Sequence, residues 1–318
     1  MARILTADIG GTNSRFGSFD LTDSGELTLQ AVRWLPTEPT GSLAGQLTLL
    51  GEGDFPLHPA RADIAVFAVA GPVEAGRRSK LPLAGWEIDL DQLEREFPLT
   101  RTLLINDFFA QALAVGGPPG RDARLILAGN PDPAAPLAVI GAGTGLGKAL
   151  LVADGRGGHL VVPSEGGHAD FPFGGGREQQ YQNFLLEKCG GSYLSGNTVV
   201  SGQGLSYLHE FLAGAELSPA QVVREFPAHP ESHAWAARFY GRVARNYVLE
   251  TLALGGLYIA GGVAAKAPEL LEHPAFREEF HHSPTMGHLL RRVPVRLISD
   301  ENSGLWGAAI QARRLLTS

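Results

Sequence analysis

Leu137-Ala-Val-Ile-Gly-Ala-Gly-Thr-Gly-Leu-Gly-Lys-Ala-Leu-Leu-Val152 is the stretch on which the reading of this chain turns. The apolar run 137–140 reads as a buried strand. Gly141 to Gly147 is a glycine-rich turn, and Ala149 to Val152 reads as the returning strand. Two nucleotide-binding motifs are excluded here. A P-loop needs Gly where Ala142 stands and Ser or Thr where Ala149 stands. A dinucleotide fingerprint needs Gly at the place of Leu146, and a helix after it. What remains is a hairpin turn of backbone N–H donors, of the kind that can cradle phosphate oxygens.

The start of the chain repeats that pattern. Ile4 to Ile9 is a strand, Gly10-Gly11-Thr12-Asn13-Ser14-Arg15 is a turn, and Phe16 to Leu21 is the returning strand. Paired glycines permit positive φ and close approach of a ligand to backbone. Asp8, just before the turn, could hold Mg²⁺ through water. A plain hairpin with a surface Asp accounts for the same residues.

Between the two turns, Leu27–Trp34 and Ile64–Ala70 read as strands, and Ser42–Leu50 as a helix. Val69-Ala70-Gly71-Pro72 is a strand end opening into a loop, a common place for ligand contacts in α/β folds. Leu81–Trp86 follows, and Ile88 opens a helix to Phe97. Leu103-Leu-Ile105 is a further strand, Asn106-Asp107 ends it, and an Ala-rich helix runs to Val115. Asp107 can be read as the helix cap, since Asn and Asp are favoured there. It can equally be a catalytic base, with Asn106 placing a substrate hydroxyl. Breaker-rich loops at 116–120 and 129–136 follow.

Beyond the second turn, His159–Pro163 leads into Glu165-Gly-Gly-His168. A carboxylate and an imidazole among small residues suit sugar hydroxyls. A polar surface loop, or half of a metal site, would look the same. Gln179–Lys188, a segment ending near Leu212, and Ala234–Leu254 have helical character. Leu257–Ala260 is a strand running into Gly261-Gly262, which either allows a flat ring to approach backbone or makes a tight turn for packing. Val293–Ile298 and Asn302–Leu316 read as the last strand and last helix.

With 318 residues the chain is long enough for two domains. A net charge of −7 argues against non-specific nucleic-acid binding, which needs a basic face. Cys189 is the only cysteine, so an internal disulfide and a cysteine-rich zinc site are excluded. The longest apolar stretch, Thr251–Ala265, is too short and glycine-rich to span a bilayer, and no signal peptide is legible. A cytoplasmic location is the expectation, with no membrane partner.

Six motifs in order resemble the bacterial glucokinase family, in the hexokinase branch of the actin-like ATPase superfamily. They are Asp8-Ile-Gly-Gly-Thr-Asn-Ser-Arg15, Ile105-Asn-Asp107, Gly141-Ala-Gly-Thr-Gly-Leu-Gly147, Glu165-Gly-Gly-His-Ala-Asp-Phe171, Ser201-Gly-Gln-Gly-Leu205 and Ile259-Ala-Gly-Gly-Val263. The resemblance implies an α/β fold of two ribonuclease-H-like domains around a cleft. The smaller would span 1–109 and be completed by the C-terminal helix, about 300–318; the larger would span 110–299. It implies ATP-dependent phosphorylation of glucose at the 6-hydroxyl, the first step of glycolysis. Asp107 would be the general base, and Asn106, Glu165, His168 and Asn197 would bind the sugar with it. Ala7, Asp8, Ile9, Gly10, Gly11 and Thr12, with Gly143, Thr144 and Gly145, would hold the phosphates. Asp8 would lie near Mg²⁺, and Gly261 and Gly262 against adenosine. A homodimer is common in the family, though no interface is legible in this sequence.

Two departures from the family pattern stand out. Asn197 occupies the place of a sugar-binding Glu, and Ser79-Lys80 that of a Thr-Asn pair. These leave room for a kinase of another hexose, or for a sugar sensor with degenerate activity. An actin-like or chaperone-like ATPase is disfavoured by Asn106-Asp107 and Glu165…His168.

Overall fold

The computed structural model describes residues 1–37, 41–81, 85–155 and 158–317. It divides into two compact units, Met1–Arg121 with Asn302–Ser318, and Asp122–Glu301.

The first unit begins with β1 (Ala2–Ile9), β2 (Asn13–Leu21) and β3 (Leu27–Pro36), then α1 (Leu43–Glu52) and β4 (Ile64–Val69). A small antiparallel sheet follows, made of β5 (Val73–Glu74), β6 (Arg78–Leu81) and β7 (Trp86–Asp89). Then come α2 (Leu90–Glu96), β8 (Thr102–Asn106), α3 (Asp107–Ala114) and α4 (Pro118–Arg121). The main sheet has the order β3-β2-β1-β4-β8. β1 pairs antiparallel with β2 and parallel with β4, and β4 runs parallel to β8. The central strands are apolar because both faces are covered. Leu5, Ala7 and Ile9 pack with Leu43 and Leu47 of α1, while Ile4 packs on the opposite side.

The second unit begins with β9 (Arg124–Leu127), β10 (Leu137–Ala142), β11 (Leu146–Ala153) and β12 (His159–Ser164). Its helices are α5 (Arg177–Cys189), α6 (Gly196–Val199), α7 (Gly202–Ala213), α8 (Pro219–Glu225) and α9 (Pro230–Thr251). β13 (Gly256–Ala260), α10 (Gly262–Lys266), α11 (Glu269–Glu272), α12 (Pro274–His281), α13 (Gly287–Leu290) and β14 (Val295–Leu297) complete it. The sheet order is β12-β11-β10-β13-β14-β9. Its first five strands repeat the order and directions of the first unit's sheet. The repeat glimpsed in two turns is therefore a repeat of whole ribonuclease-H-like sheets.

The chain ends in α14 (Ser303–Thr317), which belongs to the first unit. Leu305, Ala308, Ala309 and Ala312 pack with Ile4, Phe19 and Ala110. A Cβ on Gly307 would stand 1.8 Å from the Ala110 carbonyl oxygen, so α14 and α3 cross at a contact only glycine permits. This packing keeps α3 and α4 with the first unit, and the division falls after Arg121 rather than at 109. The glycine-proline segment 116–120, expected as loop, contains α4, because proline suits the first turn of a helix. Of the expected Leu81–Trp86 segment, 82–84 lie outside the described residues, as does the helix's expected last residue, Ser318. The strand β9 and the helices α8, α11, α12 and α13 had no expectation from sequence.

Candidate active site

In the first unit β1, β3, β4 and β8 all run the same way, so their carboxyl ends share one edge of the sheet. Ligand sites of α/β sheets sit at that edge. The Gly10–Thr12 turn follows β1 there, Gly71 follows β4, and Asn106 ends β8.

The turn is braced by side chains. The Thr37 hydroxyl donates to the Gly10 carbonyl at 3.0 Å, and the Thr37 N–H donates to the Thr12 carbonyl at 2.9 Å. Ser14 Oγ lies 3.2 Å from Thr37 Oγ1, and Gln46 Nε2 donates to Ser14 at 3.0 Å. All three side chains are buried, which fixes the turn without drawing on its exposed tip at Thr12. Ala7 and Ile9 are core residues, so toward a ligand they offer backbone only.

Asp8 and Arg15 face each other across the β1–β2 ladder, with Nη2 and Oδ2 3.7 Å apart. The Arg15 guanidinium lies 4.4 Å over the Trp34 ring. Its Nη1 is buried and, among the described residues, has no hydrogen-bond partner. Burial pushes the Asp8 carboxyl above its ordinary pKa, and Arg15 opposes this. The carboxylate also lies against the amino end of α14, where a Cβ on Gly304 would stand 2.7 Å from Oδ2. A helix amino terminus favours negative charge. Arg15 lies within the first motif without an assigned role there; its position opposite Asp8 on the returning strand is the signal in the sequence.

At the end of β8 the two open readings of Asp107 separate. Asn106 is the cap: its Oδ1 accepts from the N–H groups of Phe108 at 2.9 Å and Phe109 at 3.1 Å. Its Nδ2 donates to the Gly71 carbonyl at 3.2 Å, tying β8 to the loop after β4. Asp107 is the first helical residue, half-buried, and its Oδ1 accepts from Phe108 N–H at 2.9 Å. Ser79 is buried and donates to the Pro72 carbonyl at 2.9 Å, whereas Lys80 is exposed and 3.7 Å from Glu87 across the small sheet.

The second unit builds its turn differently. Gly143 N–H donates to the Gly145 carbonyl at 2.8 Å, and Thr144 is exposed at the tip. Other motifs close in on this turn through backbone. A Cβ on Gly167 would stand 1.8 Å from the Leu146 carbonyl oxygen. Gly202 N–H donates to the Gly143 carbonyl at 2.9 Å, and Tyr240 Oη accepts from Ala142 N–H at 3.2 Å. Asn197 Oδ1 accepts from Leu146 N–H at 2.6 Å, leaving its amide hydrogens for other partners. So Asn197, Thr144 and the Glu165–His168 segment belong to one assembly. Glu165 precedes the 3₁₀ turn Gly166–His168 and His168 ends it; both are exposed, with Oε2 and Nε2 3.7 Å apart.

Gly261 and Gly262 divide between the two readings left open for them. Gly261 has φ +86°, and a Cβ there would stand 2.7 Å from the Ala142 carbonyl oxygen, so packing explains it. Gly262, like Gly143, has open space beside its Cα. Packing against a Cβ explains neither, although the N–H and carbonyl of Gly143 are both hydrogen-bonded within the unit.

Among the described residues no group of three or more His, Cys, Asp or Glu side chains could hold a metal ion, and no helix is long and apolar enough to cross a membrane. One carboxylate, Asp8, fits an ion such as Mg²⁺ that keeps most of its waters and takes its other oxygens from phosphates.

The glucokinase family model matches residues 5–315. A glucokinase from Nostoc sp. (strain PCC 7120) is 35 % identical over 347 residues, covering 99 % of this chain and 100 % of the relative. A crystal structure of glucokinase from an Antarctic psychrotroph superposes with a TM-score of 0.80 at 29 % identity, covering 99 % of each chain. A ROK family glucokinase from Streptomyces griseus, in complex with glucose and AMPPNP, gives a TM-score of 0.65 at 20 % identity over 98 % of this chain and 99 % of that one; this likeness shows the fold. Two repeated ribonuclease-H-like sheets with these relatives define an ATP-dependent hexose kinase. The chain belongs to the glucokinase family.

Proposed function

We propose that this enzyme transfers the γ-phosphoryl group of ATP to the 6-hydroxyl of glucose, with Asp107 as general base. The observation that carries the reading is the division of labour at the end of β8. Asn106 fills the cap of α3, so the neighbouring carboxylate is not needed for capping. It stands at the sheet edge that also bears the Gly10–Thr12 turn and the Asp8–Arg15 pair.

In this scheme Asp107 takes the proton as the hydroxyl oxygen attacks the γ-phosphorus, and ADP leaves. Arg15 supplies a cation near the phosphate turn, with no hydrogen-bond partner for Nη1 among the described residues. Asp8 would hold Mg²⁺ through water, and the bound ion would neutralise charge on the phosphate oxygens. Glu165, His168, Asn197 and the remaining amide hydrogen of Asn106 would bind sugar hydroxyls. The space beside Gly143 and Gly262 would admit the nucleotide. The product, a hexose 6-phosphate, is what enters glycolysis.

A second reading, preference for another hexose, is favoured by Asn197. Its Oδ1 is tied to Leu146, and it brings no charge to the sugar. A charged hydrogen bond contributes about 1.5–3 kcal/mol and a neutral one about 0.5–1.5, so the change corresponds to roughly several-fold in KM. The test is ADP release with Mg-ATP and glucose, mannose, fructose, glucosamine or N-acetylglucosamine, beside a blank without sugar. Turnover with glucose foremost supports the first reading; another hexose foremost supports the second. Sugar-independent turnover removes both.

A further inference from the structure

Lys148 is a buried cation that the chemistry above does not use. It lies on β11 opposite Ser164 of β12 and is 6 % exposed. Its ammonium stands 5.1 Å over the Tyr247 ring of α9. Among the described residues it has no ion pair and no hydrogen bond; the acid whose charge reaches it is Glu250. Burying an unpaired ammonium is costly, and a cation–π contact offsets part of that cost. On its other side lies Gly166, where a Cβ would stand 3.2 Å from Lys148 Cδ and 3.5 Å from Nζ. Gly166 opens the turn between Glu165 and His168.

We propose that Lys148 is a positioning residue for hexose binding: its ammonium, wedged between the Tyr247 ring and Gly166, holds the Glu165–His168 turn in place to meet sugar hydroxyls. The proposal rests on the reading of that turn as the sugar site. The groups at the ammonium are the Tyr247 ring and, through its charge, Glu250, both of α9, with Ser164 the register partner on β12 and Gly166 of the turn beside it. Burial pushes the Lys148 amine below its ordinary pKa, and Glu250 opposes this. Below that lowered value the charge is present and the turn is held. As pH rises through it, the charge is lost and sugar affinity falls.

The experiment measures glucose binding to the full chain by calorimetry without nucleotide, from about pH 7 to pH 10. It compares wild type, Lys148→Met and Lys148→Arg, with steady-state kinetics and thermal unfolding alongside. Lys148→Met is expected to weaken glucose binding and raise the glucose KM roughly tenfold, within the scale of one desolvated cation–π contact. Its kcat and ATP KM should stay within about twofold, and it should lack the alkaline fall in affinity. Lys148→Arg should recover part of the affinity and extend it to higher pH. Equal glucose affinity in wild type and Lys148→Met, with the same pH profile, overturns the proposal and leaves the sugar reading standing. A wild-type chain that binds no hexose overturns both. If Lys148→Met does not fold, the wild-type pH profile and Lys148→Arg decide between the same outcomes.

Discussion

The two hairpin turns occupy the same place in two copies of one sheet, yet they are held by different means. The turn after β1 is braced by buried side chains, Thr37, Ser14 and Gln46, and has the Asp8–Arg15 pair beside it. The turn after β10 is held mostly through backbone, by Gly167, Gly202 and Gly261 at separations no Cβ could share or by direct N–H to carbonyl bonds. Topology repeats without the chemistry repeating. Charge that can act on a phosphoryl group gathers in the first unit. Neutral donors and close backbone approach gather in the second.

If that division holds, substitutions in the first unit should act on kcat, and substitutions in the second on stability and KM. The largest effect is expected from Asp107→Asn, which should lower kcat by about 10²–10⁴ while sugar binding persists. Undiminished kcat, measured by ADP release, would take Asp107 out of the mechanism. Next comes Gly167→Ala, whose Cβ would meet the Leu146 carbonyl oxygen at 1.8 Å. Overpacking of this kind costs about 1–3 kcal/mol, here at the upper end or beyond. Urea unfolding with an unchanged midpoint would break the claim that the second turn depends on glycine.

Asn197→Ala should cost about 1–3 kcal/mol by leaving the Leu146 N–H without its partner, and should raise the hexose KM with little change in kcat. A fall in kcat alone would instead move Asn197 to the chemical step.

The smallest effect concerns acid. His209, His273 and His281 of the second unit all have pKa values lowered, chiefly by burial, with nearby His229, His233 or arginines adding to it. Each is neutral when folded and takes up a proton more readily when unfolded. The stability they contribute is therefore present above the ordinary histidine pKa of about 6.5 and is lost as pH falls toward their lowered values. The first unit contains one histidine, His58, which is exposed. Hydrogen exchange followed from about pH 7 to pH 5 should show the second unit opening before the first. Simultaneous opening would blur the contrast between them.

Much of this was legible in residue order because it is local. Glycine pairs after apolar runs mark the turns at 10–12 and 143–145, and failed fingerprints at Ala142, Leu146 and Ala149 leave a hairpin as the remaining form. The junction at Asn106-Asp107 is equally local, since a strand pattern meets a helix pattern there. Which of the two residues caps the helix was not legible. It depends on Asn106 also reaching the Gly71 carbonyl, thirty-five positions away in sequence.

The sequence by itself determined the class of fold, the positions of the turns and the candidate base, because apolar periodicity and glycine conformational freedom act over a few residues. Only the tertiary structure decided that α3 and α4 stay with the first unit and that Gly261 serves packing while Gly262 lies open. It also decided that Lys148 is buried beneath the Glu165–His168 turn. Each of these is set by contacts between segments far apart in the chain, and no local pattern encodes such contacts.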